Sequence, residues 1–300
     1  MTILKERRWE IMEVGEEFGP LHVTVDLAMV RAYAFSVDDF TPSHLFPANE
    51  GAPILAHPTL LCREARDVIA TTYDIASGGA GMHTKHECYF FGCPAVGETY
   101  VITGRHTEKF IKREKQYIVL ESDVHDRDGK LLFRQRSTHI RALRPGVAKV
   151  SQTPASGDIA PPAAPPRVVA RDRNEIAVGV DLLTLGKRFN QEHLTVFAGT
   201  SWNNIHNDPE LARASGLRGT LSSGLQTMAA VAELMERYFA EGWTDGGSLA
   251  VAFIAPLYVG EAITVGATIT AVTSDTVTAD VWCDTTAGVR VLAGSASARI

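Results

Sequence analysis

The chain has only four cysteines in 300 residues: Cys62, Cys88, Cys93 and Cys283. None sits in a CxxC pair or at zinc-finger spacing, so they read as reduced core thiols of a cytosolic protein. An excess of positive charge is also missing. A formal net charge of −6 gives no electrostatic reason to expect nucleic acid or an anionic membrane as partner. No apolar run approaches the roughly 20 residues of a membrane span. The opening residues, MTILKERRWEIMEVGE, are charged and lack the apolar core of a secretory signal. These absences leave a soluble, cytoplasmic protein as the expectation. With 45% hydrophobic residues, the chain has the means for a substantial core and does not read as disordered.

What is present repeats. His44 and His206 are 162 residues apart, and so are Pro94 and Pro256, and a constant offset is the mark of duplication. In the first copy, Leu21 to Val25 alternates like a strand, and Asp26 is placed to cap a helix from about Leu27 to Val37. A long apolar helix is expected from about Ile54 to Tyr73, with His57-Pro58 in its first turn, where proline is tolerated. Strand-like segments follow near 82–91, 98–109, 115–126 and 130–143.

Residues 144–166 hold six prolines among Ala, Ser and Gly without periodicity, which reads as a linker. The pattern then restarts. Asn190 caps a short helix from Gln191, Asp208-Pro209 opens another that Gly216 closes, and Leu221 to Phe239 is the second apolar helix. Strands are expected near 248–255, 261–273, 275–284 and 288–300. The division is therefore 1–143 for the first repeat, 144–180 for the linker and 181–300 for the second. Each repeat is α+β, a sheet around a buried helix, and pairing the two sheets edge to edge would cover exposed strands.

The chemistry-bearing stretch is Asp38-Asp39-Phe40-Thr41-Pro42-Ser43-His44, echoed by Ser201-Trp202-Asn203-Asn204-Ile205-His206. Residues five apart point to different faces of a helix, and Pro42 disfavours continuing one. Asp39 and His44 therefore converge only if the chain turns, and a carboxylate and imidazole so placed can hold and deprotonate one water.

This arrangement resembles the double hotdog fold, and specifically the MaoC-like dehydratases or R-specific enoyl-CoA hydratases. Their pattern runs approximately G-D-x-N-P-[LIV]-H, a spacer, then a long helix opening with [IV]-x-H-G. The first half matches at Asp39, Pro42 and His44, then at Leu55-Ala56-His57-Pro58-Thr59. The second matches at Asn203, Ile205-His206, Asn207-Asp208-Pro209-Glu210 and Leu221-Ser222-Ser223-Gly224. The departures are Thr41 for Asn and Pro58 for the oxyanion glycine in the first copy, and Ser201 for the catalytic Asp and Asn204 for Pro in the second.

The resemblance implies hydration or dehydration of a 2-enoyl thioester, with an acyl-CoA as partner and no metal or organic cofactor. Asp39 would take the proton from water, and His44 would hold that water. His57, Thr59, Asn203, His206 and Gly224 would line the substrate, and the N–H of Thr59 at a helix N-terminus would polarise the carbonyl. By analogy, a degenerate second site leaves room for a bulky acyl group. The fold also allows a homodimer.

Structural alternatives stand beside each role. Asp39 can bond a turn amide, His44 and His57 can be satisfied core histidines, and Asn203 can be a turn-former. His83 and His86, on a strand, are set aside as metal ligands. The basic run Lys109 to Lys115 is a solvated hairpin tip, or else contacts CoA phosphates. Two other functions remain open: thioester hydrolysis on the same fold, and a non-catalytic acyl-thioester-binding subunit.

Overall fold

The computed structural model describes residues 3–77, 81–141 and 168–300. In chain order its strands are β1 (Lys5–Glu6), β2 (Glu17–Thr24), β3 (Tyr73–Asp74), β4 (Met82–Phe91), β5 (Thr99–Lys112), β6 (Lys115–His125), β7 (Leu131–Arg141), β8 (Val169–Ala170), β9 (Asp181–Leu182), β10 (Leu185–Arg188), β11 (Asp245–Phe253), β12 (Ala262–Val272), β13 (Thr276–Thr285) and β14 (Arg290–Arg299). The helices are α1 (Leu27–Val37), α2 (Pro42–Leu45), α3 (Cys62–Arg66), α4 (Gln191–Ala198), α5 (Pro209–Ala214), α6 (Gly224–Phe239) and α7 (Glu241–Thr244). β1 and β3 pair on their own. The other 12 strands make one sheet in the order β2-β5-β6-β7-β4-β11-β14-β13-β12-β9-β8, with β10 also on β12.

The seam lies between β4 and β11, which run antiparallel with Cys88 opposite Leu249 and His86 opposite Val251. The two halves thus join edge to edge, and neither leaves a free strand at its centre. In the second half, alternation does the expected work. Val265, Ala267 and Ile269 of β12 and Val277, Ala279 and Val281 of β13 turn one apolar face inward. Helix α6 lies against it, with Ala229, Ala230, Val231, Ala232 and Leu234 all buried. Asn190 caps α4 with a reciprocal capping box, and Asp208 caps α5 by accepting from Glu210 and Leu211. Asp26 caps α1 by accepting from the Met29 N–H at 2.7 Å.

The first half departs from expectation. No single long helix spans 54–73. Leu55 forms a bridge with Ala95, α3 spans five residues, and a 3-10 turn over Asp67–Thr71 leads into β3. His57-Pro58 accordingly precedes the helix and is not its first turn.

The sheet bears on this. The buried face of β4 to β7 sets the polar His86, His106, Ser122, Gln135 and Ser137 among the apolar Cys88, Phe90, Ile102, Leu120 and Phe133, a more mixed surface than the second half offers α6. Two of the polar groups satisfy carbonyls of the short segment: Ser122 donates to Ala65 and Gln135 to Cys62. Of the linker expected at 144–180, everything up to residue 167 lies outside the described residues. Beyond it, β8 pairs with β9 and a 3-10 turn covers Arg173–Glu175. Among the described residues no helix is long and apolar enough to cross a membrane.

Candidate active site

Asp38 ends α1 in the left-handed region (φ 54°), and this kink turns Asp39 inward. Pro42 then opens the short α2 that carries His44. Asp39, His44 and His57 are all buried and surround a cavity of about 10 Å³, the room of a single water.

The expected pairing changes here. Asp39 faces His57, with Oδ2 3.6 Å from Nε2, and its other oxygen accepts from the Thr41 N–H and hydroxyl at 3.0 and 2.6 Å. His44 instead places Nδ1 3.1 Å from the Leu55 carbonyl and Nε2 3.2 Å from a carboxylate oxygen of Glu236 on α6.

These contacts fix proton positions. His57 Nδ1 accepts from both the Thr59 N–H (3.2 Å) and the Thr59 hydroxyl (2.8 Å), so the ring proton sits on Nε2 and points at Asp39. Tyr33 completes the relay with a 2.6 Å hydrogen bond to the Thr59 hydroxyl. Burial and the nearby His44 hold the His57 pKa down to about 4, so it is neutral.

His44 meets two acceptors. Burial disfavours its charge, but Glu236, the Leu55 carbonyl and Asp39 outweigh burial and raise its pKa above the usual histidine value. Burial likewise works against the Asp39 carboxylate, and His57, Thr41 and His44 more than offset it, leaving the pKa below the ordinary value. Thr59 therefore spends its N–H on His57 and has none for a substrate carbonyl. That expectation is corrected by the loss of the helix that would have aimed it.

A second charged group closes this side. Lys187 of β10 and Glu233 of α6 form a buried ion pair at 2.6 Å, and the same ammonium donates to the Asp38 carbonyl. Sequence reasoning missed Tyr33, Lys187, Glu233 and Glu236. A signal existed for the last two, since carboxylates within a helix buried on nearly every side need partners.

The second copy is built alike and opens differently. His206 Nδ1 lies 2.7 Å from the Leu221 carbonyl, and Leu221 bridges Tyr258 as Leu55 bridges Ala95. A carbonyl only accepts, so the proton is on Nδ1 and Nε2 keeps its lone pair. Burial lowers the His206 pKa to about 4, the Leu221 carbonyl resisting.

This imidazole borders a chamber of about 2190 Å³ that Asn203, Gly224 and residues of β4 to β7 such as His83, His106, Leu120 and His139 also line. Gly224 begins α6, whose first N–H groups have no intrahelical acceptor. A Cβ on Gly224 would come within 2.8 Å of the Phe253 ring. Asn203 donates to Asp208, the α5 cap, at 2.9 Å, and Ser201 is exposed. Tyr33 on the small cavity and Phe197 on the chamber pack ring to ring, 5.9 Å apart, where the two spaces approach.

The hairpin tip expected at Lys109 to Lys115 is present, but Lys109 folds back over the Trp9 ring (4.3 Å) and donates to the Met12 carbonyl. For metals, one atom each of Cys62, His86 and Cys88 lies within 4.8 Å of the others, all buried. This soft donor set joins residues too far apart in sequence to show as a motif.

Residues 170–287 match the family model of the MaoC like domain. Over that stretch the chain is similar to a MaoC-like domain. The stretch contains His206, Asn203 and Gly224, while Asp39 and His44 lie outside it. No curated protein sequence matches the chain. Among solved structures, one described as a MaoC-like dehydratase is 18% identical over 96% of this chain and 98% of its own, with a TM-score of 0.76. A putative MaoC domain dehydratase from Chloroflexus aurantiacus is 13% identical over 100% and 99%, with a TM-score of 0.69. A conserved hypothetical protein of Mycobacterium tuberculosis, described as having a double hotdog fold, is 16% identical over 98% of both chains, with a TM-score of 0.61. At these identities the likeness is one of fold: a double hotdog, with the MaoC-like stretch in its second half.

Proposed function

We propose that the protein is a hydro-lyase that adds water to, or removes it from, a 2-enoyl thioester bound in the large chamber. The observation that carries this reading is the position of His206, a neutral imidazole with a free Nε2 lone pair beside the first turn of α6, inside the MaoC-like stretch. In the hydration direction, His206 Nε2 takes a proton from water as the water oxygen bonds to C3. The C2–C3 π electrons move to the thioester oxygen, where the α6 N-terminus stabilises the negative charge. The imidazolium then returns its proton to C2, so both hydrogen and hydroxyl come from one water. The acyl carrier is a coenzyme A or an equivalent thioester, and the chamber exceeds the usual 300–1,000 Å³ of a ligand pocket, which leaves room for both.

A second reading places the chemistry in the first copy, with Asp39 as base and the His44 imidazolium as acid. What favours it is the pair of bare atoms: Asp39 Oδ2 and His57 Nε2 are buried without a hydrogen-bond partner among the described residues beside the one-water cavity.

One assay separates the readings: loss of enoyl absorbance, run beside free-thiol release. His206→Gln should lower kcat by about 10²- to 10⁴-fold, while Asp39→Asn stays within about tenfold of the parent. The reverse pattern would move the reaction to the first copy. Thiol release would make the protein a thioesterase, and binding without turnover a partner subunit.

The pH profile gives an independent answer. His206 loses its base form only as pH falls through about 4, so kcat/KM should hold down to about pH 5 and drop below it. A reaction needing the His44 cation would instead decline as pH rises through its elevated pKa.

A further inference from the structure

Half of the basic side chains on the chamber wall already hold an acid. Arg63 grips Glu64 at 3.0 and 2.7 Å, and Arg66 grips Asp67 at 2.8 and 2.9 Å. Arg218 pairs with Glu261 and Arg290 with Asp284. Arg7 and Arg141 differ. Neither guanidinium forms an ion pair among the described residues, and the Nε of each is buried without a partner.

Arg141, at the end of β7, is only 6% exposed and spends one N–H on the Arg7 carbonyl at 3.4 Å. Gly81 makes room for it, since a Cβ there would lie 2.8 Å from its terminal nitrogen. Beside them His83 and His139 stack at 4.3 Å, and His83 Nδ1 and Nε2 and His139 Nε2 are bare as well.

Burial and the Arg7 charge lower the Arg141 pKa to about 9, so it is a cation at neutral pH. Burial acts on Arg7 in the same direction, opposed by Asp67 at longer range. A buried Arg141 beside the half-buried Arg7, with no carboxylate in ion-pair contact with either guanidinium among the described residues, is unfavourable alone. Their planar forks suit one carboxylate, held by two parallel hydrogen bonds.

We infer that the acyl group of the substrate ends in a carboxylate, which Arg7 and Arg141 bind on the chamber wall. The substrate class is thus a dicarboxylic 2-enoyl thioester. This rests on the hydro-lyase reading, because it places the thioester at His206 and the α6 N-terminus and leaves the free carboxylate to Arg7 and Arg141, which line the same chamber. A purely apolar acyl chain would bury the arginines and the bare imidazole nitrogens without satisfying them. The bulky hydrocarbon group expected by analogy with degenerate double hotdogs fits this wall poorly. Phosphates of the carrier are the other source of an anion. The exposed Arg113 and Lys115 of the β5–β6 turn, which also line the chamber, suit them better than a buried pair.

The test uses two 2-enoyl-CoA substrates of equal length, one ending in a carboxylate and one in a methyl group. The parent protein should prefer the carboxylate in kcat/KM by about 10²- to 10⁴-fold. Arg141→Met should reduce that preference to within about tenfold, chiefly through a lower kcat/KM for the carboxylate-ended substrate. Preference for the methyl-ended substrate in the parent would overturn the proposal.

Binding is read separately, by thermal shift with glutarate and with inorganic phosphate as probes. Glutarate should protect the parent but neither Arg141→Met nor Arg7→Met. Should glutarate protect a protein that hydrates nothing, the carboxylate site stands and the hydro-lyase reading fails. Protection by phosphate alone, with equal loss on removing the 3′-phosphate of CoA, would assign the pair to the carrier and overturn the proposal. So would a large drop in thermal midpoint of both ligand-free variants, because removing an unpaired buried cation should not destabilise the fold.

Discussion

The two halves of the sheet wrap around different things. The second turns valine, alanine and isoleucine inward and receives a 16-residue helix, α6. The first mixes histidine, serine and glutamine with phenylalanine, isoleucine and leucine on its buried face and receives only a turn and the five-residue α3. The same scaffold thus occurs twice with a different filling. The histidines follow suit. Both are anchored by Nδ1 to a leucine carbonyl, but His44 meets a carboxylate of α6, which helps raise its pKa, whereas His206 borders the chamber with its pKa lowered to about 4. The two copies of one motif are thus shifted in opposite directions.

The contrast is most open to attack at Lys187 and Glu233, the buried pair that shuts the first copy against α6. Breaking a buried pair strands a charge and typically costs about 3–5 kcal/mol, whereas replacing both partners with apolar groups is often neutral. Glu233→Leu alone should therefore lose roughly that much in denaturant unfolding. Lys187→Met with Glu233→Leu should recover most of it. If the single variant is as stable as the parent, the first copy is not held shut by charge.

A smaller effect is expected where the second copy opens. Gly224→Ala would push a methyl group into the Phe253 ring, and overpacking of this kind costs about 1–3 kcal/mol. The loss should appear in unfolding midpoints together with a raised KM, since α6 would have to shift away from the thioester. A stability loss with unchanged KM would detach Gly224 from the substrate.

The paired histidines give a comparison of sign. The folded pKa of His44 is raised, so its stabilising contribution is complete below the unfolded value of about 6.5 and is lost as pH rises through the folded value. His206 is the reverse: its folded pKa of about 4 means that the unfolded chain binds more protons between 4 and 6.5, and stability falls as pH drops through that window. Relative to the parent, His44→Gln should flatten stability above pH 6.5 and His206→Gln should flatten it below. Neither slope exceeds ~1.4 kcal/mol per pH unit for one proton. Equal slopes for the two variants would mean that the repeats do not shift their imidazoles in opposite directions.

Much of this organisation can be read in the chain because it is local. Alternation placed the long strands, Asp26, Asn190 and Asp208 announced three helices, and the apolar run after Leu221 announced α6. The edge-to-edge seam followed from the need to cover strands. What escaped depends on distance in sequence. Glu236 reaches His44 across 192 residues, and Arg141 reaches Arg7 across 134. No window of sequence holds either pair. Asp39 shows the same limit at short range: the turn at Pro42 was expected to bring it to His44, but it faces His57 while His44 meets Glu236.

Pro58 brings the comparison to a single residue. Its ring removes an N–H, and it biases His57 away from helical angles, so it is the obvious suspect for the missing helix. The mixed inward face of β4 to β7 is the competing cause, reinforced by the β-branched residues Val68, Ile69, Thr71 and Thr72, which weaken helix at the far end. If the sheet face decides, Pro58→Ala should leave the far-UV circular dichroism unchanged and cost at most about 1 kcal/mol through the unfolded chain. Helical signal gained in this variant, with a shrunken chamber and slower turnover, would show that one proline keeps the first repeat open.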